Sequence, residues 1–429
     1  MNKNALIGIA IALLIMGTAL VVVTKDNVVI KKNTSEQDDD KTPPLGNITS
    51  FDDAVNAFNF DFFRKLNSDP DNEGNIFYSP YSVFTALAMT YEGSGGLTAE
   101  EMENVLHIEQ NNDSFHLYMK SLYEYLNENS EYNISTANAL WVNNNYDLLE
   151  DYVNIIETYY GGKASDIDYS DPQVAADIIN DWVESQTNNL IKDLVPASAI
   201  DPILTMLILT NAIYFKGTWE IMFDEDNTTE RDFTNTDGDV TQVDTMKIID
   251  TEDNFNYIEN DEMQMLELPY SGDDISMMII LPKDGTDTDD IISSINKDTY
   301  NDWIDEMYET ELDLYLPKFK FETSYTLNDY LKELGMQKAF TGNADFSGMF
   351  GLYDIYISSV IHKAFIEVNE EGTEAAAATA VIMALTSAEP TEQPPQRIVF
   401  DCDHPFLFTI HHKETNTILF MGQVENPSV

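Results

Sequence analysis

The sequence contains very little cysteine and very little positive charge. Its 429 residues include one cysteine, Cys402, which excludes an intramolecular disulfide framework. A chain of this length can bury a core large enough to fold without disulfides. Lysine and arginine together number 22 against 76 aspartates and glutamates, which gives a formal charge of −54. Nucleic acids and anionic lipid surfaces would be repelled, so we expect no nucleic-acid partner.

Motifs for enzyme chemistry and for cofactors are also missing. The sequence has no P-loop, no dinucleotide-binding fingerprint and no His/Cys spacing typical of a metal site. Residues 92–96 come closest to a nucleophile elbow but lack its first glycine in register. Residues 235–238 imitate a calcium loop, although Phe233 occupies its first ligand position. We therefore predict no enzyme activity, no catalytic residues, no cofactor and no metal beyond adventitious surface cations.

The excess of acidic residues has a consequence for stability. Self-repulsion at a formal charge of −54 weakens a compact state. Roughly molar salt shortens the Debye length to about 3 Å and would screen most of this repulsion. We therefore expect a salt-rich or cation-rich working environment.

The N-terminal region contains one long apolar run, residues 5–23, flanked by lysines. At ~1.5 Å per residue it just spans a ~30 Å hydrocarbon core. We interpret residues 1–24 as a signal peptide or membrane anchor, with a buried core helix as the alternative, and residues 25–50 as an acidic disordered linker. We expect an extracellular protein, secreted or tethered to the outer face of the membrane through this segment alone. Five sequons are compatible with glycosylation there: Asn33, Asn47, Asn112, Asn133 and Asn227.

Residues 51–429 show no Pro/Gly/Ser-rich break and are predicted to form a single domain. Helical apolar spacing begins at Phe51, and residues 325–334 also indicate a helix. Residues 204–215, 275–281, 312–321 and 418–424 indicate strands. Because the two types of element are intermixed without β-α-β repetition, we predict an α+β fold with mainly antiparallel sheets.

The stretch at residues 370–387 has a composition that points in two directions. Four successive alanines favour a helix, whereas residues 379–386 mix β-branched residues with helix formers. In a strand, Thr373, Ala375, Ala377 and Thr379 would share one small, uncharged face that could enter a core. Gly372 supplies a hinge before it. An alanine-rich surface helix or linker accounts for these residues equally well.

Motifs in this stretch and elsewhere in the chain resemble those of the serpins, the serine protease inhibitors. The resemblance lies in residues 370–379, 75–82, 211–219, 404–408 and 420–427. All five occur in the family's order, and together they cover about residues 51–429. The resemblance implies a serpin fold, with several helices packed around three mainly antiparallel β-sheets and an exposed reactive-centre loop. It also implies a monomer.

The serpin resemblance assigns roles to particular residues. Trp219 would lie where the loop first enters the central sheet. A polar cluster beneath that sheet would contain Ser79, Ser82, Asn211 and His362. Helix capping by the serines, a core position for the tryptophan and a satisfied core histidine are the plainer readings. The hinge would comprise Glu370, Gly372, Thr373, Glu374, Ala375, Ala376, Ala377, Ala378 and Thr379.

The function implied by the resemblance is irreversible suicide-substrate inhibition of serine proteases, with cysteine proteases as a second target class. The loop at residues 370–387 would be cleaved at Thr386–Ser387, or next to Leu385, and would insert into the central sheet while the acyl-enzyme is trapped. These uncharged residues suit elastase-, chymotrypsin- or subtilisin-like proteases. The segment from Ser387 to Arg397 is longer than usual. Arg397 is a candidate second, trypsin-sensitive bond, with a flexible-loop cleavage site as the plainer interpretation. The alternative function is a non-inhibitory serpin acting as a surface binding or assembly protein.

Overall fold

The structure, a computed structural model, describes residues 51–428 except for residues 73, 109–112, 129–130, 352–354 and 374–396. It also describes two short strands nearer the N-terminus, β1 (Ala19–Thr24) and β2 (Asn27–Lys32). The chain divides into two compact units, residues 1–42 and residues 43–429.

The N-terminal unit contains an antiparallel pair formed by β1 and β2, with Ala19 opposite Lys32 and Thr24 opposite Asn27. The length argument for a signal peptide or membrane anchor assumed a helical rise through residue 23, but the last part of this run is a strand. The β-branched run at residues 21–24 favours a strand over a helix. Residues 1–18 and 33–50, which hold the rest of the predicted segment and most of the linker, lie outside the described residues. In the described part of the chain, no helix is both long and apolar enough to cross a membrane.

The second unit mixes helices and strands along the chain. Its described α-helices are α1 (Phe51–Asn67), α2 (Pro80–Tyr91), α3 (Gly96–Leu106), α4 (Asp113–Glu128), α5 (Glu150–Tyr160), α6 (Pro172–Gln186), α7 (Thr288–Ser294), α8 (Lys297–Asp305), α9 (Asn328–Leu334) and α10 (Ser347–Phe350).

The strands of this unit follow the same intermixed order. They are β3 (Ile76–Tyr78), β4 (Tyr132–Asn143), β5 (Lys163–Ile167), β6 (Leu207–Thr218), β7 (Thr229–Thr234), β8 (Val240–Ile248), β9 (Phe255–Glu259), β10 (Met263–Pro269), β11 (Ile275–Pro282), β12 (Tyr308–Thr310), β13 (Leu312–Pro317), β14 (Phe319–Thr326), β15 (Ile357–Val368), β16 (Gly372–Thr373), β17 (Ile398–Asp401), β18 (Phe406–His412) and β19 (Thr417–Val424).

These strands form three sheets, as the family resemblance implied. The central sheet has the order β14-β15-β16-β6-β4-β5. A seven-stranded sheet has the order β12-β9-β10-β11-β18-β19-β3, and a four-stranded sheet has the order β17-β13-β8-β7. Most pairings are antiparallel, but β15–β6, β4–β5 and β13–β17 are parallel. The α+β prediction is therefore confirmed.

Helix α2 lies against one face of the central sheet and α6 against the other. Ser79 starts α2 by accepting a hydrogen bond from the backbone N–H of Ser82, and Pro80 occupies the first turn. Every residue from Pro80 to Thr90 is buried, which is typical of a helix packed inside a large core. Asp171 caps α6 in the same manner, by accepting from two backbone N–H groups.

The seam of the central sheet is the parallel pair β15–β6, which runs from Ile357 opposite Leu207 to Ala364 opposite Ile213. Above this seam the short strand β16 lies between the same two strands. Thr373 is opposite Val368 on β15 and Gly217 on β6. Two residues of the predicted hinge, Gly372 and Thr373, therefore form a short strand inside the sheet.

Candidate functional site

The hinge enters the central sheet through a tight turn at residues 369–372. The side-chain oxygen of Asn369 accepts hydrogen bonds from the backbone N–H groups of Glu371, at 3.0 Å, and Gly372, at 3.2 Å. The backbone N–H of Asn369 donates to the Gly372 carbonyl at 2.9 Å. This turn reverses the chain at the end of β15 and directs it back between β15 and β6.

Gly372 occupies a position that admits no side chain. Its φ is +154°, and a Cβ built on it would lie 2.0 Å from the carbonyl oxygen of Gly217. Backbone and backbone approach each other directly here, so neither atom can move aside as a flexible side chain would. The hinge can stay in the sheet only with glycine at this position.

Glu370 is tied to the surrounding sheet by its carboxylate. Only 5% of the residue is exposed, and the carboxylate lies 2.8 Å from the Lys318 ammonium and accepts a hydrogen bond from the Thr228 hydroxyl at 2.7 Å. Burial alone would raise the pKa of Glu370, but the Lys318 and Thr228 contacts outweigh it and hold the pKa below its ordinary value. Glu370 is therefore charged at neutral pH.

Trp219 contacts the hinge through both its backbone and its ring. Its backbone N–H donates to the Glu371 carbonyl at 2.9 Å, and its indole N–H donates to the Asn369 carbonyl at 3.0 Å. Four residues on, the Phe223 N–H donates to the Glu370 carbonyl at 3.0 Å. Trp219 thus lies against the turn that leads into β16, and it is at the same time a buried core residue.

Thr373 is the last described residue of the hinge, and 2% of it is exposed. Its hydroxyl lies 2.6 Å from the hydroxyl of Tyr270, which follows β10 of the seven-stranded sheet. Sequence reasoning missed Tyr270, because nothing near residue 270 marks it as a partner of a residue 103 positions away.

A second polar group lies beneath the seam, on the side of α2. Asn211 donates through its amide to Ser82 and to Asn138, and Ser82 donates to Asn138 at 3.1 Å. Ser79 donates from its hydroxyl to the Leu419 carbonyl at 2.6 Å and also caps α2. The predicted residues Ser79, Ser82, Asn211 and His362 are brought together here. Asn138 was not predicted, although an asparagine within an apolar strand was an available signal.

His362 joins this cluster as a neutral imidazole. Its Nε2 accepts the backbone N–H of Ser79 at 3.2 Å, so its Nδ1 carries the proton and donates to the Asn211 side chain. Complete burial lowers the pKa of His362 to about 3. Protonation would turn Nε2 into a donor that faces another donor. The ring therefore holds β15, β6 and α2 together only when uncharged, and nothing in its surroundings suits it to catalysis.

The hinge and the polar cluster occupy different levels of the same seam. Asn211 and Gly217 are both on β6, about 20 Å apart at ~3.3 Å per residue. The structure therefore brings the predicted residues into two groups rather than one. One group surrounds the short strand β16, and the other lies below it, between the β15–β6 seam and α2.

The remaining predicted loop residues, Glu374–Thr379, Leu385, Thr386 and Ser387, lie outside the described residues. Arg397, which resumes the described chain, is anchored at the start of β17. Its guanidinium is 3.3 Å from Glu311 and 3.2 Å from Asp313, and it donates to the Thr251 carbonyl at 2.7 Å. This anchoring argues against the interpretation of Arg397 as a flexible-loop cleavage site. Among the described residues, no cluster of three or more His, Cys, Asp or Glu side chains could hold a metal ion.

The class of this protein is defined by three features. They are its three sheets, the short strand β16 inside the central sheet, and the polar cluster beneath the β15–β6 seam. The family model for serpins, described as serine protease inhibitors, matches residues 53–427, and the chain belongs to that family.

Its relatives are spread over distant organisms. An uncharacterised serpin-like protein of Thermococcus kodakarensis is 41% identical over 379 residues, covering 87% of this chain and 85% of that protein. The leukocyte elastase inhibitor of Equus caballus is 38% identical over 385 residues, covering 87% of this chain and 98% of the inhibitor. The crystal structure of Serpin48, a highly specific serpin of the insect Tenebrio molitor, superposes with a TM-score of 0.76 at 34% identity, covering 88% of this chain and 98% of Serpin48. Members of this family are generally protease inhibitors rather than enzymes.

Proposed function

We propose that this serpin is an irreversible suicide-substrate inhibitor of serine proteases. The observation that carries the proposal is the position of Thr373, which already lies between β15 and β6 at the end of the two-residue strand β16. A chain that continues from Thr373 along the same direction would have to separate the seam below it. The hinge is therefore set to extend, not merely to connect two elements.

The energetics of extension favour insertion once the loop is free. Opening the seam breaks the single set of backbone hydrogen bonds between β15 and β6. A strand placed between them forms bonds with both neighbours, so more bonds form than break. At about 1 kcal/mol net per bond, a strand of about ten residues gains several kcal/mol, up to on the order of 10 kcal/mol. An intact loop is held at both ends, because Arg397 anchors its far side.

The chemistry of the trapping step belongs to the protease. Its serine attacks the carbonyl carbon of Thr386, the peptide bond to Ser387 breaks, and a proton from the catalytic histidine goes to the leaving amine. The acyl-enzyme ester then travels with the inserting segment. Deacylation needs a water, a base and an oxyanion hole in register, and a displacement of about 1 Å can already slow such a step by 10²-fold. The ester therefore persists.

The residues before the proposed scissile bond suggest the class of target. Leu385 and Met383 are uncharged and apolar, and we propose that they occupy the binding subsites of elastase-, chymotrypsin- or subtilisin-like proteases. The leukocyte elastase inhibitor among the relatives is consistent with this class.

The test is to incubate the full-length protein separately with subtilisin, elastase, chymotrypsin and trypsin. We expect a complex that survives denaturant with at least one of the first three, and a C-terminal fragment beginning at Ser387 when the products are separated in denaturant. A fragment that begins at another residue would show that a different peptide bond is cleaved, and suicide-substrate inhibition would still be supported. Cleavage without any covalent complex would overturn inhibition and favour a non-inhibitory binding role.

A further inference from the structure

We propose that Tyr270 is a positioning residue for the hinge: its hydroxyl holds Thr373 in the first inserted position and thereby favours loop insertion over release of the cleaved inhibitor. The effect on insertion rests on the proposed function, but the contact itself can be tested without it. The inference starts from the hydroxyl–hydroxyl distance of 2.6 Å between a residue of the central sheet and one that follows a strand of the seven-stranded sheet.

The backbone around Tyr270 is fixed from both sides. Its own N–H donates to the Ile275 carbonyl at 2.9 Å, and the Ser271 N–H donates to the Thr218 carbonyl at 2.8 Å. Before it, the Pro269 carbonyl accepts from the Glu220 N–H at 2.9 Å. These bonds join the end of β10 to the end of β6, so the tyrosine does not depend on the hinge for its place.

The ring is held independently of its hydroxyl. It stacks on Trp219 with centroids 4.4 Å apart and meets Phe215 edge to face at 4.9 Å. It reaches Thr373 by passing over Gly217, where a Cβ would lie 2.8 Å from Tyr270 Cδ1. Removal of the hydroxyl therefore leaves the aromatic packing intact and takes away only the contact with the hinge.

The hydroxyl pair favours the inserted hinge because Tyr270 is completely buried. While Thr373 is in the sheet, each hydroxyl has a partner. When Thr373 leaves, the Tyr270 hydroxyl stays in the core and loses the Thr373 hydroxyl, which carries a free-energy penalty. Insertion after cleavage thus starts from Thr373, which is already paired with β15 and β6, and not from a free chain end.

The variant that tests the contact is Tyr270→Phe, and the chain offers a matched control. Tyr300 is also completely buried, and its hydroxyl lies 2.6 Å from that of Thr409, within the seven-stranded sheet and its helix α8. Tyr300→Phe removes the same kind of bond away from the hinge. Thr373→Val serves as a second variant, which removes the hinge side of the contact at nearly constant shape.

The direct readout is hydrogen exchange at the backbone N–H groups of Trp219 and Phe223, which donate to hinge carbonyls. We expect Tyr270→Phe to speed exchange at both about fivefold, the equivalent of about 1 kcal/mol at 1.4 kcal/mol per tenfold, and Tyr300→Phe to leave it unchanged. Thr373→Val should match Tyr270→Phe, and the double variant should add nothing further. Equal exchange in the Tyr270→Phe and Tyr300→Phe variants would overturn the proposal.

The functional readout is the number of inhibitor molecules consumed for each protease molecule trapped. This ratio should rise in Tyr270→Phe and stay at the wild-type value in Tyr300→Phe. If the wild-type protein traps no protease at all, the proposed function fails, while the exchange experiment still decides whether Tyr270 holds the hinge. If Tyr270→Phe changes the exchange rate but not this ratio, the Tyr270 contact acts only in the uncleaved protein. Its proposed role in insertion would then be rejected.

Discussion

The ammonium of Lys363 donates a hydrogen bond to the main-chain carbonyl of Lys192, 2.7 Å away. Lys363 lies on β15, 8% exposed, and Lys192 belongs to the segment that follows α6 over the face of the central sheet. The Glu322 carboxylate, 2.9 Å away, neutralises the ammonium. This bond ties the covering segment to one side of the seam that insertion must open.

We expect Lys363→Met to speed uptake of a synthetic peptide copying residues 373–384 into the central sheet by several-fold. The substitution releases the segment around Lys192 from β15. Glu322 loses its partner but is 44% exposed at its side chain, so water can solvate its carboxylate. Lys320→Met is the control, because Lys320 pairs with Glu367 on the same two strands but is 61% exposed at its side chain. Equal uptake rates in the two variants would contradict the prediction.

Thr373→Arg should convert the protein from inhibitor to substrate. Thr373 is already in the sheet and 2% exposed, so an arginine there would be expelled, and insertion would have to bury it again. An unpaired buried charge costs about 3–5 kcal/mol. We expect the loop still to be cleaved but the denaturant-resistant complex to disappear. Thr373→Ser, which keeps a small side chain and a hydroxyl, should retain the complex. Undiminished complex formation by Thr373→Arg would rule out insertion through this residue.

Gly372→Ala should expel the hinge from the sheet. The added Cβ would meet the Gly217 carbonyl oxygen at 2.0 Å. Gly238→Ala is a control with a positive φ of +83° but no atom within 4 Å of the new Cβ. We expect exchange of the Trp219 and Phe223 N–H groups to rise at least about tenfold in Gly372→Ala only, since the clash costs more than ~1.4 kcal/mol. If the exchange rates rose equally in Gly372→Ala and Gly238→Ala, the steric clash with Gly217 would not be the cause, and the prediction would be wrong.

The polar cluster predicts a dependence of stability on pH. His362 has a pKa of about 3 in the folded protein and an ordinary value of 6.5. Between these values the unfolded chain binds a proton that the folded protein does not, so stability is lost as pH falls below about 6.5. One such proton changes the free energy of unfolding by about 1.4 kcal/mol per pH unit.

The measurement is the free energy of unfolding of wild type and His362→Gln at pH 7, 6 and 5. The variant should be the less stable at pH 7, and the gap should narrow as pH falls, because only the wild type loses this contribution. Other titrating groups act equally on both proteins and cancel. A gap that is constant with pH would place the titration elsewhere.

The charge of −54 predicts that the thermal midpoint rises with sodium chloride concentration. Ions screen the self-repulsion of the folded state, whereas a neutral osmolyte does not. Sucrose at equal osmolarity is therefore the control. The idea is abandoned if the midpoint is the same in 0.1 M and 1 M salt, or if sucrose reproduces the effect.

The local sequence pattern predicted which helices and strands exist better than it predicted where each one begins and ends. Residues 312–321 alternate as one strand, yet the structure divides them into β13 and β14 of two different sheets. Pro317 ends the first, since it has no N–H to continue a ladder. The helix predicted at residues 325–334 begins only at Asn328, because β14 continues to Thr326 through its pairing with β15.

The hinge shows why part of the site stays hidden from sequence reasoning. The alanine-rich composition of residues 374–380 leaves helix and strand open, and these residues lie outside the described part of the chain. Before them, the close fit of Gly372 against Gly217 is a backbone contact that sequence reasoning could not foresee. The motifs pointed to Trp219 and His362. Tyr270 emerges only when strands distant in the chain are brought together, because its partner Thr373 is set by tertiary contacts.

The described chain resumes at Arg397 and immediately enters β17, which pairs with β13, and then β18, which lies between β11 and β19 inside the seven-stranded sheet. A cut at Thr386–Ser387 would leave β17, β18 and β19 on a separate polypeptide. They would remain interleaved with strands of the larger piece, as the halves of a split protein do after reassembly. Under native conditions the cleaved molecule would therefore keep the apparent mass of the intact protein. The two chains would separate only in denaturant.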